Sequence, residues 1–219
     1  MKKTMLILIT IAAILANSSP VSAQASESEK DFRFTIKTNP LSALGGPFWL
    51  LVVPLTGEYK VLFEAAVGEK SSFQVGAGYL GPSVFLNLDE LTANEGETGG
   101  VSGIKTSGFR VQGMYKYFLS RNLKAPNGFY VGPHASFANA QLISKDNSND
   151  YIKATKININ GVFGYQLITA GGFTLDIYTG LGFVSRKWDT SEEGTNWTDD
   201  LANKSTINVP FGFSFGYAF

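Results

Sequence analysis

The sequence predicts an all-β fold, an eight-stranded antiparallel up-and-down transmembrane β-barrel. Three observations carry that expectation. Large and lean residues alternate with period two along most of the chain. Only 16% of residues are charged, against roughly 25% in an ordinary soluble protein, while 13% are aromatic and 24 of 219 are glycine. The connections between alternating segments are short and long in turn. No stretch of comparable length keeps the 3.6-residue period of an amphipathic helix. Other classes fall away on composition. Cys is absent and His occurs once, which removes disulfide frameworks, thiolate zinc sites, Cys nucleophiles and multi-His metal centres. No cofactor and no metal site are expected.

The N-terminus reads as a removable export signal. Lys2 and Lys3 precede an apolar run from Met5 to Ala16, and the small residues Val21-Ser22-Ala23 close the segment. The apolar run is too short for a membrane-spanning helix, which needs about 20 residues. Residues 1–23 are therefore expected to be cleaved, and 24–30 to form a flexible lead-in. Cleavage removes two bases and no acid, so 18 bases against 18 acids become 16 against 18. That balance offers no broad basic face for nucleic acid. Export without Cys suits the outer membrane of a Gram-negative bacterium.

Residues 31–219 supply the barrel domain. Strands are expected at 31–38, 58–67, 73–86, 109–118, 129–142, 157–167, 173–183 and 207–219. In the last segment Ile207, Val209, Phe211, Phe213, Phe215, Tyr217 and Phe219 alternate with Asn208, Pro210, Gly212, Ser214, Gly216 and Ala218. Successive side chains of a strand point to opposite faces, so one face is greasy and one lean. A soluble sandwich or lipocalin-like barrel also alternates, with bulk inside and charge outside. Here the residues opposite the bulky set are often Gly, Ser, Ala and Asn. These fit the cramped inside of an eight-stranded barrel, and the aromatics fit a lipid-facing outside. A soluble exported barrel with an apolar ligand remains the alternative architecture.

The terminal run Phe215, Tyr217, Phe219 resembles the C-terminal signature strand of Gram-negative outer-membrane proteins. The resemblance implies recognition by the barrel assembly machinery, with outer-membrane lipid as the other partner. Short motifs elsewhere point the same way: Ile36-Lys37-Thr38-Asn39-Pro40-Leu41, Gly57-Glu58-Tyr59, Gly76-Ala77-Gly78-Tyr79 and Tyr117-Phe118-Leu119. Together they resemble the small outer-membrane barrels of Bacteroidota that carry DUF3575. That resemblance implies fold and location for nearly all of 31–219 and implies no reaction.

Three places are candidates for chemistry. The lean faces carry Arg33, Lys37, Glu58, Lys60, Glu64, Arg110, Lys116, His134 and Asp176 inward. Buried charges must pair, because an unpaired one costs several kcal/mol. A structural ion-pair network filling the barrel is the expected reading, and a selective channel for an ion or solute is its alternative. His134 and Ser136 share a strand face, which permits a base–nucleophile pair. Their spacing resembles the His-x-Ser of the lipid A 3-O-deacylase barrels, with Asp146, Asp150 or Asp176 as possible acids. Phe137 stands where those enzymes have Asn, and 142–168 holds no Glu for their third residue. A lipid A-modifying hydrolase is thus an alternative, and no enzyme is expected. Gly76-Ala77-Gly78-Tyr79-Leu80-Gly81 spells a dinucleotide fingerprint, but Pro82 follows where a helix must start.

The third place is the external loops. Asp89, Glu90, Glu95 and Glu97, and Asp189, Glu192, Glu193, Asp199 and Asp200, make two acidic loops without calcium-loop spacing. Trp49 and Trp188 are expected in an interfacial aromatic belt, and Trp197 as a contact for an unknown surface ligand. The overall expectation is an envelope-structural or surface-interaction protein that works through its loops.

Overall fold

In the computed structural model, the described residues are 31–47, 49–50, 53–54, 56–84, 104–144, 151–191 and 206–219. The barrel segment 31–219 forms one compact unit. Its strands are β1 (Phe34–Thr38), β2 (Trp49–Leu50), β3 (Val53–Pro54), β4 (Gly57–Ala66), β5 (Ser71–Gly81) and β6 (Ile104–Phe118). They continue with β7 (Gly128–Ser144), β8 (Tyr151–Ile168), β9 (Phe173–Thr190), β10 (Thr206–Asn208) and β11 (Phe211–Ala218). β2 and β3 pair only with each other. β10 and β11 share one register against β9, with Asn208 opposite Gly182 and Phe211 opposite Thr179. They are one barrel strand, interrupted at Pro210, which has no N–H to give to the ladder.

Eight strands therefore close a cylinder in the order β1, β4, β5, β6, β7, β8, β9, β11, with β11 returning to β1. Every neighbouring pair is antiparallel. Closure removes the two open edges that a flat eight-stranded sheet would have. No α-helix occurs among the described residues. Residues 67–70, 119–127 and 169–172 connect strands at one end, called the lower end. The turn 169–172 relies on Gly172, whose φ of 88° is left-handed backbone that a Cβ would oppose.

The long connections leave from the upper end. The first contains a 3-10 turn, Pro40–Ala43, whose entry is capped by the Asn39 side chain accepting from the Ser42 N–H at 3.3 Å. This connection folds against the barrel wall. Ser42 donates to the Glu58 carbonyl at 2.6 Å, Ser83 donates to the Leu44 carbonyl at 2.7 Å, and Lys156 donates to the Pro47 carbonyl at 2.9 Å.

Strands β6, β8 and β9 are longer than the alternation of apolar residues indicates, whereas β1 starts at Phe34 rather than 31 and β5 ends at Gly81, before Pro82, rather than at 86. β6 begins at Ile104 rather than 109, β8 at Tyr151 rather than 157, and β9 continues to Thr190 rather than 183. The added outward positions are Lys105, Ser107, Tyr151, Lys153, Thr155, Ser185, Lys187 and Asp189, all but Tyr151 without apolar bulk. Outward polar residues there erase the hydrophobic period while the hydrogen-bonded ladder continues.

The two faces of the wall are sharply different. Phe63, Phe73, Val75, Tyr79, Phe109, Val111, Tyr117, Phe129, Ile159, Phe163, Leu181, Phe183 and Phe211 are all exposed on the outside. Inside are Thr35, Lys37, Glu58, Glu64, Ser72, Gln74, Gln112, Lys116, His134, Ser136, Asn158, Asn160, Gln166, Thr174, Asp176 and Ser214, all buried. Polarity is thus inverted relative to a protein with an apolar core. Small apolar clusters cap this interior. Met114, Phe118, Ala125, Tyr130 and Val162 pack at the lower end, and Leu80, Ala138, Ala140 and Ala154 pack higher up with Trp188 against them.

Candidate functional site

The lower half of the barrel interior is built around two lysines. Lys37 on β1 and Lys116 on β6 point inward at alternate positions of their strands. Lys37 Nζ lies 2.5 Å from Glu64 Oε2, 2.8 Å from Asp176 Oδ2 and 2.8 Å from Gln166 Oε1. Lys116 Nζ lies 3.2 Å, 2.7 Å and 2.7 Å from the same three atoms. An ammonium group has three donors, so each lysine is saturated by these acceptors. The second Asp176 oxygen accepts from Tyr130 Oη at 2.7 Å, and the second Glu64 oxygen accepts from Ser72 Oγ. Lys116 also sits 4.4 Å over the Tyr130 ring. Gly164 makes room for this arrangement, because a Cβ there would stand 2.6 Å from Tyr130 Oη.

Two ammonium groups and two carboxylates cancel, and seven of the eight barrel strands contribute a member. Such a network satisfies the condition under which buried charges are tolerated. It crosses the lumen as a bonded partition. The connection 119–127 closes the end below it: Lys70 Nζ donates to the Ser120, Arg121 and Leu123 carbonyls, and Ala125 N–H donates to the Glu69 carbonyl at 2.8 Å.

A second network lies above. Glu58 Oε2 is shared by Arg110 at 3.1 Å and Lys60 at 3.4 Å. Arg110 Nη2 donates to Ser136 Oγ at 3.0 Å, and Asn158 Nδ2 donates to the same oxygen at 3.1 Å. Asn208 Nδ2 donates to Asn160 Oδ1 at 3.0 Å, and Asn160 Nδ2 faces His134 Nδ1 at 3.1 Å.

The interior residues expected from sequence fall into these two groups, with one correction. Arg33 is exposed and belongs to neither. It has the inward parity of Thr35 and Lys37 but precedes β1, where the wall has ended. Only its backbone participates, donating to the Phe219 carbonyl and accepting from Ala66.

His134 and Ser136 share the inner face, but they are not hydrogen-bonded to each other. Ser136 Oγ is occupied by two donors, and the His134 nitrogen that has a partner faces Asn160. Among the described residues, neither Asp176, committed to the lysines, nor any other acid is hydrogen-bonded to the imidazole. The pair lacks the contacts of a base-activated nucleophile, and both residues are buried inside the barrel.

Trp188 also departs from expectation. It lies in β9 with the inward parity of Val184 and packs against the interior cluster of Leu80, Ala138, Ala140 and Ala154, not in an outer belt. The strand runs seven residues past the end that its apolar alternation shows, which turns a supposed rim position into an interior one. The Trp49 side chain, Trp197, Asp146, Asp150, Asp89, Glu90, Glu95, Glu97, Glu192, Glu193, Asp199 and Asp200 lie outside what is described. Asp189 is exposed in β9. Phe215, Tyr217 and Phe219 all face outward. Among the described residues, no group of three or more His, Cys, Asp or Glu side chains could hold a metal ion.

Sequence reasoning missed Tyr130, Lys156, Gln166 and Arg186. Gln166 was legible from parity alone, opposite Tyr165 and Leu167. Lys156 and Arg186 sit beyond the apolar part of their strands, where the period gave no guide. Comparison with protein-family models, with curated proteins and with solved structures finds no match to this chain.

Proposed function

We propose that this chain is a non-enzymatic outer-membrane β-barrel with an envelope-structural or surface-interaction role carried by its upper loops. The single observation behind this reading is the inverted polarity of the wall. A continuous outer face of exposed aromatic and aliphatic side chains surrounds buried charged and amide groups, of which the two lysines, Glu64 and Asp176 of the lower network pair with one another. In water that outer face would be a large apolar patch of the kind soluble monomers avoid. In a bilayer it is the required surface, and closure satisfies every backbone group that lipid cannot. The upper ends of β6–β9, with Lys105, Lys153, Lys187 and Asp189 outward, fit the polar zone above such a band. The proposed kinship to the Bacteroidota barrels, export by the N-terminal segment and recognition of the last strand by assembly machinery belong to the same reading.

Fractionation tests it. The protein should remain with the detergent-resistant outer membrane, and unboiled samples should migrate differently from boiled ones. A freely soluble periplasmic protein would overturn the proposal.

A further inference from the structure

We infer that the upper half of the barrel interior is a binding site for a small oxyanion of the phosphate class, centred at the level of Ser136 and Asn158. The first argument is charge. The lower network is neutral by itself. Above it, Lys60, Arg110, Lys156 and Arg186 have inward parity, and Glu58 is the sole inner carboxylate among the described residues. Glu58 is already shared by Lys60 and Arg110. Lys156 and Arg186 stand directly opposite each other on β8 and β9. Like charges directly opposite in a sheet repel. Neither makes an ion pair among the described residues: Lys156 reaches the Pro47 carbonyl, and Arg186 reaches Thr206 Oγ1 at 3.4 Å.

The second argument is independent of charge and concerns donors. Asn208 fixes the Asn160 amide by donating to its Oδ1, so Asn160 Nδ2 is the group that faces His134 Nδ1. An amide nitrogen only donates, so Nδ1 accepts and the imidazole proton sits on Nε2. His134 is 2% exposed, yet its Nε2 has no hydrogen-bond partner among the described residues. Among the described residues Arg110 Nε is likewise buried without a partner, and an unpartnered acceptor at the level of Ser136 and Asn158, Asn158 Oδ1, is left to the Ser136 proton or to a proton carried by the oxyanion. Ser136 Oγ accepts two hydrogen bonds, which leaves its own proton to donate. These donors flank one level of the lumen. Arg110 reaches it through Ser136, His134 is the next inner residue below Ser136, and Lys156 is the next inner residue above Asn158.

An oxyanion at that level answers both needs. It accepts from the imidazole N–H, the guanidinium and the hydroxyl, and it supplies the missing negative charge beside Lys156 and Arg186. Charge-assisted hydrogen bonds of this kind are the strong ones. The site lies inside the barrel and is independent of where the barrel resides.

The lone His provides the readout. The refolded full chain in detergent, with its fold verified by heat-modifiable migration, is titrated with inorganic phosphate while the single imidazole is followed by NMR. A saturable shift is expected with phosphate and not with sodium chloride at matched ionic strength. Lys156→Met, which leaves every described ion pair intact, should weaken binding about tenfold or more. Lys187→Met, on the outer face, should leave it unchanged. Absence of a saturable shift, an equal response to chloride, or full binding by Lys156→Met would each overturn the site. So would binding that emerges only when Glu192, Glu193, Asp199 and Asp200 are neutralised together, since loop carboxylates would then be the native occupants.

Discussion

Lys37 and Lys116, on two strands that do not touch, present their ammonium groups to the same three oxygen atoms of Glu64, Gln166 and Asp176. Neither lysine has a private hydrogen-bond acceptor. Removing one leaves the carboxylates short of a cation, and removing a carboxylate leaves two lysines competing for the other. Lys116→Met should therefore destabilise the barrel by about 3–5 kcal/mol, the cost of breaking a buried ion pair from one side. Pairing it with Glu64→Gln restores charge balance, so the double variant should lose less than the sum of the singles. Urea unfolding of the four proteins in detergent checks this; strict additivity would show that the charges act separately.

Tyr130 ties the network to β7 through one hydrogen bond to a carboxylate. Tyr130→Phe keeps the ring under Lys116 and removes only the hydroxyl. Hydrogen bonds to charged groups contribute about 1.5–3 kcal/mol, and a loss in that range is expected. Gly164→Val should be worse, because its Cβ would crowd both the Ile177 carbonyl and the Tyr130 hydroxyl that bonds Asp176.

The bonded partition and the packed connection beneath it leave the lower lumen filled with side chains. Refolded protein in a planar bilayer is expected to give no steady current. Replacing Glu64, Lys116 and Asp176 together by Ala removes the partition while keeping the wall, and any conductance should arise only then. Steady current through the unaltered chain would favour a channel.

Depth along the outer face gives a separate test of the membrane reading. Phe163 lies in the apolar band, whereas Thr155 lies on the same strand above it. Phe163→Arg should reduce folding into lipid vesicles by about 2–4 kcal/mol if it sits near the midplane, and Thr155→Arg should cost about 0–1 kcal/mol. Equal, small effects at both positions would contradict a bilayer around the wall.

Catalysis by His134 and Ser136 makes an opposite prediction to the geometry. Lipid A incubated with the protein should keep all its acyl chains, and Ser136→Ala should make no difference to it. Instead Ser136→Ala should lower stability, since Arg110 and Asn158 both donate to the hydroxyl that it removes.

Much of this architecture was legible in the sequence because a strand has only two faces. Once Phe173, Leu175 and Ile177 are assigned to one side, Asp176 must lie on the other. The same parity placed Lys37, Glu64, Lys116 and His134 inside. It could not show which of them meet, because partnership depends on the stagger of eight strands around the cylinder. Gln166, Tyr130 and Asp176 converge only after that stagger is set. Parity also gave no warning where a strand ends, which misplaced Arg33. It failed at Trp188 for the converse reason, since polar outward residues hid the continuation of β9.

The first and last strands of the barrel meet where β1 lies against β11, along four opposed residue pairs from Thr35–Ala218 to Thr38–Phe215. The ladder between β7 and β8 has sixteen. The cylinder therefore has a seam, and the seam is its shortest stitch. It also joins the earliest strand of the wall to the last, so it cannot be sewn until the whole barrel segment has been made. With the five-pair ladder from β1 to β4 beside it, this side of the wall is the most thinly stitched, and lateral unzipping is expected to start there. The same line is where an unfinished barrel would lie open to a neighbouring strand.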